Sequence, residues 1–262
     1  MPELPDVERF RRYFNRTALH KKIASLEVER AKGLEGVGIK ELKERLQDVS
    51  FTHSARHGKH LFARLSDGSW LRFHFGMTGF FKYYKNAAAA PGHPRLICTF
   101  DNGYNLAWDS QRLFGRISLV QSPEEYVKEN HLGPDALEIS KEDFCIRLQK
   151  KKGMIKNALM AQNVVAGLGN VYSDEVLFQS RLHPQTKTGA LATEKLGQIH
   201  GTMQEVLQSV IHSGIHPEEM PDRLLTAHRG RDNECPVCRA KLEKIKISGR
   251  TSYLCPRCQK KG

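Results

Sequence analysis

From Asp6 to about Lys21, the apolar residues Val7, Phe10, Phe14 and Leu19 recur at roughly helical spacing with charged residues between them. That period predicts a short first helix almost at the terminus. The pattern then turns strand-like, first at Ile23–Val28, then at His60–Leu65, which Ser66, Asp67 and Gly68 join to Trp70–Phe75. A third pair, Leu96–Phe100 and Tyr104–Trp108, flanks Asp101, Asn102 and Gly103; Asn-Gly readily takes the positive φ that a hairpin turn needs. The segment from about 20 to 120 is thus expected to be mostly antiparallel sheet, broken by one helix near 38 to 48.

After Gln121 the character changes. Ser122-Pro123 and Leu132-Gly133-Pro134 punctuate a polar stretch, and helical patterns follow at about Lys141–Lys151, Ile155–Ala161, Val171–Gln179 and Thr193–His212. Gly214 is placed to end the last of these, as a C-terminal glycine commonly does. Ala87–Ala90 is expected to be a loop. The expected organisation is an α+β fold. Residues 1–121 form an antiparallel β-sandwich with flanking helices, 122–134 a linker, 135–228 a helical domain, and 229–262 a small terminal module.

The chain has 262 residues, 39% of them hydrophobic, enough to bury a real core, which argues against disorder. Lys and Arg number 41 against 29 acidic residues, a net charge of +12. That balance suits a phosphate-binding surface and equally a merely soluble basic protein. No run approaches the roughly 18 apolar residues of a membrane helix, and the acidic, Pro-containing start lacks the pattern of a secretion signal. Four of the six cysteines crowd the last 28 residues as two Cys-x-x-Cys pairs. This is metal spacing, not a disulfide framework, and it implies a reducing compartment, cytoplasm or nucleus.

Those pairs are Cys235/Cys238 and, after sixteen intervening residues, Cys255/Cys258. Four thiolates from two turns close a tetrahedral site with no open position, so one structural Zn2+ is expected, with an iron-sulfur cluster as the outside alternative. A hairpin, Leu242–Ile247 then Thr251–Leu254, would complete a zinc ribbon. Lys244, Lys246 and Arg250 place positive charge on it, for phosphate or simply for solvent. Gln162–Asn170 lies between two helical segments and carries Gly167 and Gly169. It reads either as a connection in a helix bundle or as an anion-binding helix start. At the N-terminus, Met1-Pro2-Glu3-Leu4-Pro5-Asp6 reads two ways. It is an ordinary helix start with acids in the first turn, or, once Met1 is removed, a secondary α-amine with a carboxylate beside it. An α-amine titrates near 8, so it is a usable nucleophile at neutral pH where a lysine is almost wholly protonated.

Together, Pro2-Glu3-Leu4-Pro5, the Asn163–Asn170 segment with Tyr172 and Glu175 after it, and the terminal cysteine module resemble the formamidopyrimidine-DNA glycosylase and endonuclease VIII family, nearly end to end. The resemblance implies a catalytic N-terminal domain, a helix-two-turn-helix that holds the DNA backbone, and a zinc finger. It also implies a bifunctional DNA glycosylase and abasic-site lyase of base excision repair. It further implies a monomeric enzyme acting on double-stranded DNA with oxidised or ring-opened bases, formamidopyrimidines first and 8-oxoguanine as a further candidate. By position, Pro2 resembles the nucleophile, Glu3 the acid-base residue, Lys59 the β-elimination lysine and Arg250 the δ-elimination arginine. His74 and Asn170 match phosphate contacts, and His93, Arg112 and Lys151 further DNA-binding positions. Met77, Arg112 and Phe114 resemble the trio that fills the void when a nucleotide is flipped, a step that costs a few kcal/mol of stacking. From sequence alone, Met77 and Phe114 read more readily as core residues.

Three departures bear on substrate. Asp6 stands where the purine-repair branch commonly has Glu, Asp109–Arg112 is one residue longer than usual, and only Ile215–Arg229 is available where that branch has a longer loop over the flipped base. Leu4 nonetheless matches the purine branch. Ring-opened purines are therefore expected first, with oxidised pyrimidines as the alternative. A damaged-DNA-binding protein without catalysis and a zinc-ribbon RNA-binding protein are the competing classes. The first has no need of Pro2, Glu3, Lys59 and Arg250 together, and the second lacks its aromatic-rich β motif.

Overall fold

The start of the chain is set by one local exchange. In the structure, a computed structural model that describes residues 1–213, 221–230 and 233–260, the Glu3 backbone N–H donates to the Asp6 carboxylate at 2.9 Å. With Pro5 in the first turn, this starts helix α1 at Leu4, and the helix runs to Ala18. His20, at φ 63°, then turns the backbone into the first strand.

The chain divides into two units, Met1–Asn130 and His131–Gly262. In the first, α1 is followed by β1 (Ile23–Val28), α2 (Ile39–Leu46), β2 (Phe51–His57), β3 (His60–Leu65), β4 (Trp70–His74) and β5 (Phe80–Tyr84). Then come β6 (Pro94–Phe100), β7 (Asn105–Asp109), β8 (Arg116–Val120) and α3 (Pro123–Glu129). Two four-stranded antiparallel sheets result, ordered β1-β6-β7-β5 and β2-β3-β4-β8. Side chains alternate across each strand, and the inward set from both sheets, including Leu61, Ala63, Phe73, Leu96, Phe100 and Trp108, shares one core with Val7 and Phe14 of α1. Phe14 is its hub, its ring 5.0 Å from Phe51, 6.5 Å from Phe73 and 5.6 Å from Phe81. This is the expected sandwich with flanking helices.

The second unit holds α4 (Lys141–Gln149), α5 (Ile155–Met160), α6 (Asn170–Gln179), α7 (Thr193–Ser213), α8 (Leu225–His228) and the hairpin β9 (Glu243–Ile247) and β10 (Arg250–Leu254). Ser248 and Gly249 join the two strands at φ 47° and 77°, the left-handed pair of a two-residue hairpin turn. Between α5 and α6, Val164, Val165 and Leu168 are buried, so the connection is packed and not looped out.

Sequence periodicity misses β2, β5, β8, α3 and α8 as separate elements. The run of β2, Phe-Thr-His-Ser-Ala-Arg-His, buries only Phe51 and Ser54 fully, so neighbours hold it in the sheet and hydrophobic alternation does not announce it. Within the expected linker, Ser122 caps α3 by accepting from the Glu125 N–H at 3.1 Å, with Pro123 in the first turn. The cap and proline that read as punctuation are a helix start. The expected helix end at Gly214 and the first six residues of the Ile215–Arg229 stretch lie outside the described residues; within the rest of it, Leu225–His228 is helical.

Truncating Phe14 to Ala should destabilise the first unit by about 3–5 kcal/mol through the cavity left behind. Both tryptophans, Trp70 and Trp108, lie in that unit, so urea unfolding followed by tryptophan fluorescence reads it directly. A loss under about 1 kcal/mol would show that the core collapses around the site.

Candidate functional site

At the N-terminus Met1 is 61% exposed and Glu3 1% exposed. Pro2 is half-buried between them, its nitrogen tied to Met1 in an amide until that residue is cut away. Further along α1, Glu8 is buried and receives Arg11 through two hydrogen bonds, 2.9 and 2.8 Å. Arg12 and Arg56 also reach it, at 3.2 and 3.4 Å. Burial alone would raise the Glu8 carboxyl, but hydrogen bonding and charge from Arg11, then Arg12 and Arg56, hold it below the usual carboxylate value. Arg56 Nη1 also donates to the Gly58 carbonyl at 3.3 Å. Glu8 thus links α1 to the β2–β3 turn, where half-buried Lys59 sits one residue before its strand.

Strand register then sets imidazole and guanidinium side chains in a row. His60 lies opposite His74, and His74 opposite Arg116; one pleat further, Phe62 lies opposite Arg72 and Arg72 opposite Ser118. These face away from the sandwich core, yet Arg72 is only 2% exposed, because Tyr126 of α3 covers it at 4.7 Å. Its guanidinium meets Ser118 Oγ at 2.8 Å, the Glu35 carboxylate at 2.5 Å and His60 Nδ1 at 3.3 Å. A guanidinium can only donate, so His60 Nδ1 is an acceptor and carries no proton. His74 Nδ1 likewise lies 3.4 Å from the Gly76 N–H. Burial first, then the charges of His74, Arg72, His57 and Lys59, keep the His60 imidazole well below its usual value. His74 is lowered to about 4 by burial, then by Arg72, Lys59 and Arg116. Both imidazoles are therefore neutral at pH 7, each keeping its proton on Nε2.

The loop after β4 and the loop before β8 meet backbone to backbone. Gly76 has φ +60°, and a Cβ there would lie 2.4 Å from the Phe114 carbonyl carbon. No larger residue permits that approach. It holds Met77 beside Arg112, whose Nη1 is 3.9 Å from Met77 Sδ. The Arg112 N–H donates to Thr78 Oγ1 at 3.2 Å. Phe114 is 56% exposed, which overturns the core reading for that residue, while Met77 is half-buried. His93 is exposed and joins the same loop: its N–H donates to Asp109 Oδ2 at 2.7 Å and its carbonyl accepts from Ser110 N at 3.1 Å.

In the second unit Asn170 opens α6, and its Nδ2 donates to the Thr251 carbonyl at 2.9 Å, so it lies against the hairpin that bears exposed Arg250. Lys151 belongs to another group: with Arg147, Lys150 and Asn163 it lines a pocket of about 220 Å³. Sequence reasoning did not single out His60, Arg72, Glu35, Asp174 or Arg229. The polar alternation Trp70, Arg72, His74 was the one available signal, and it reads as a solvated face until α3 is placed over it.

The sulfurs of Cys235, Cys238, Cys255 and Cys258 lie within 4.8 Å of one another. Cys235–Cys258 is 3.8 Å and Cys238–Cys255 3.5 Å. Ligands about 2.3 Å from a tetrahedral zinc stand about 3.8 Å apart, whereas a disulfide needs about 2.05 Å. The donor set fits one structural zinc ion.

Two outcomes follow for measurement. Purified protein should hold one zinc per chain, and Cys255→Ser or strong chelation should release it and abolish amide protection in β9 and β10; protection unchanged after verified zinc loss would refute a structural metal. Because the folded-state pKa of His74 is depressed, its stabilising contribution is complete above the unfolded value near 6.5 and fades as pH falls toward 4, by on the order of 2 kcal/mol. His74→Gln should therefore lose less stability than wild type between pH 6.5 and 4.5, and parallel pH profiles would contradict the depressed imidazole.

Comparison with known proteins agrees with this layout. Residues 1–117 match the family described as the formamidopyrimidine-DNA glycosylase N-terminal domain. Residues 132–221 match its helix-two-turn-helix domain, and 233–261 the zinc finger found in that enzyme and in isoleucyl-tRNA synthetase. The chain is 32% identical to the formamidopyrimidine-DNA glycosylase of Pelotomaculum thermopropionicum over 276 residues, 99% of each chain. It is also 32% identical to that of Solibacter usitatus over 274 residues, 100% of each. Among solved structures it resembles the Lactococcus lactis enzyme bound non-covalently to DNA containing an abasic site, at TM-score 0.89, 29% identity, and coverage of 99% of this chain and 100% of that one. No helix among the described residues is long and apolar enough to cross a membrane. With all three domain matches in order and relatives aligned end to end, the chain belongs to the formamidopyrimidine-DNA glycosylase family.

Proposed function

We propose that this protein is a bifunctional DNA glycosylase and abasic-site lyase of base excision repair, acting as a monomer on damaged double-stranded DNA. The observation that carries the proposal is the pinned loop pair. Phe114 stands 56% exposed next to Arg112 and Met77, on backbone that Gly76 locks in place. An aromatic ring held rigidly in water gains nothing for folding, whereas it offsets the stacking lost when a nucleotide leaves the helix. The +12 charge and the DNA-bound state of the Lactococcus lactis neighbour support the same partner.

After Met1 is removed, the Pro2 nitrogen attacks the anomeric carbon of the flipped nucleotide. The glycosidic bond breaks and the base departs with a proton. The secondary amine leaves an iminium that N-deprotonation cannot neutralise, so it draws electrons from the neighbouring carbon as that carbon loses its proton, and the 3′ phosphate leaves. A second elimination releases the 5′ phosphate. Glu3, buried at the start of α1, handles proton transfer to the sugar ring. Lys59 assists the first elimination and Arg250 the second, each offsetting phosphate charge as it develops. His74 and Asn170 hold phosphates, and His93, Arg112 and Lys151 add DNA contacts. The four-part division at 121, 134 and 228 assigns chemistry to the sandwich and DNA grip to the helical and zinc parts. The bacterial nucleoid or a nucleus is the site of action. Ring-opened purines are the first expected lesions. The short stretch between Ser213 and Cys235 favours oxidised pyrimidines as the second reading.

Borohydride should trap wild-type protein beginning at Pro2 on a duplex with an abasic site. Pro2→Gly, or protein retaining Met1, should trap at least about 100-fold less. Absence of a wild-type adduct on abasic DNA would leave only the non-catalytic binding reading.

A further inference from the structure

Asp174, in the second turn of α6, is a carboxylate with no exposed surface that receives four donors from three separate segments. Oδ1 accepts from Lys156 Nζ and from Ser252 Oγ, both at 2.5 Å. Oδ2 accepts from Arg229 Nη1 at 2.7 Å and from the Tyr253 N–H at 3.0 Å. Lys156 and Ser252 are themselves at 0% exposure and 2.8 Å apart. One turn earlier on the same helix, Asn170 ties the Thr251 carbonyl, and its own carbonyl accepts from Arg229 Nη1 at 3.2 Å. Thr251, Ser252 and Tyr253 are thus each fastened to the first turns of α6, and the next residue back along β10 is Arg250.

Strand geometry makes that fastening matter for Arg250. Side chains at i and i+2 leave a strand on one face, so Arg250 shares the face by which Ser252 reaches Asp174. The zinc cysteines do not control this end: Cys255 follows the far end of β10, five residues from Arg250. A two-stranded ribbon is only marginally stable by itself, so a metal at its base leaves its tip free to swing unless something else holds it. Ser248 Oγ lies 3.2 Å from Asn157 Oδ1, but that contact is exposed. The buried four-donor carboxylate is the strong tie, since breaking a buried charge network by removing one member leaves the others uncompensated.

We infer that Asp174 is a positioning residue, which fixes the Arg250 guanidinium relative to Asn170 so that it meets the phosphate released in the second elimination. The inference rests on the proposed lyase chemistry. Asp174→Asn keeps the side-chain volume but removes the charge and turns an amide N–H₂ either toward Arg229 and the Tyr253 N–H or toward Lys156, none of which can accept. In protein verified to be folded and zinc-replete, borohydride adduct formation and β-elimination should stay within about threefold of wild type. The ratio of δ- to β-elimination product should fall about tenfold, to the level of Arg250→Ala, and the double variant should fall no further, because the two changes remove one function. If Asp174→Asn does not fold, Ser252→Ala, which deletes one hydroxyl, should lower the same ratio about threefold. A destabilising effect alone would slow every step in parallel and leave the ratio unchanged, and that result would overturn the positioning role. A wild-type enzyme that forms no adduct would instead sink the lyase chemistry and this role with it.

Discussion

The carboxylates of Glu8 and Asp174 and the guanidinium of Arg72 are all buried, and none could remain charged there without partners to replace its water. Removing a charge from solvent costs several kcal/mol even after relaxation, and only close opposite charge with satisfied hydrogen bonds offsets it. That requirement forces elements distant in sequence to converge. Glu8 draws Arg56, and with it the Gly58 carbonyl, toward α1. Arg72 gathers Glu35, Ser118 and His60. Asp174 gathers α5, the Arg229 segment and β10. Each network stands directly behind a residue assigned to DNA or to catalysis: Lys59, His74 and Arg250. The hydrophobic core makes the two units stable, but the buried ions decide where the reactive side chains stand.

The pinned loops use the opposite device, the absence of a side chain. Gly76 lets two backbones touch where any Cβ would collide, so the aromatic and cationic groups above them are carried on a floor with almost no freedom. Placing a side chain before a ligand arrives lowers the ordering entropy lost on binding. Rigid groups are what a flipped nucleotide requires, because the void it leaves must be filled as fast as it opens.

Much of this was legible in the sequence, for identifiable reasons. Ile23–Val28 and His60–Leu65 appear in the sheets with the bounds read from the sequence, although a bulge after Ile23 breaks the alternation of the first and Phe62 is buried on the outer face of the second. The Asn-Gly hairpin and the cysteine module were equally plain, since turn chemistry and metal ligation are written in adjacent residues. β2 was hidden because its exposed face is polar and its buried face is short. Arg72 was hidden for a different reason: sequence cannot distinguish a charge in water from one beneath Tyr126. Phe114 was undecided between core and surface until the glycine contact fixed its loop, and Asp174 and Arg229 gave no local sign, because their partners lie up to 79 positions away.

The neutral imidazole pair has a thermodynamic consequence of its own. Lysine and arginine contacts to phosphate draw much of their strength from displaced counterions, so they fade as ionic strength rises. An uncharged Nε2–H donating to a phosphate oxygen displaces none. If His74 grips the backbone as proposed, its share of the binding free energy is insulated from salt, and the protein's hold on a lesion divides into an electrostatic part that finds DNA and a dipolar part that survives in a crowded, ion-rich cell.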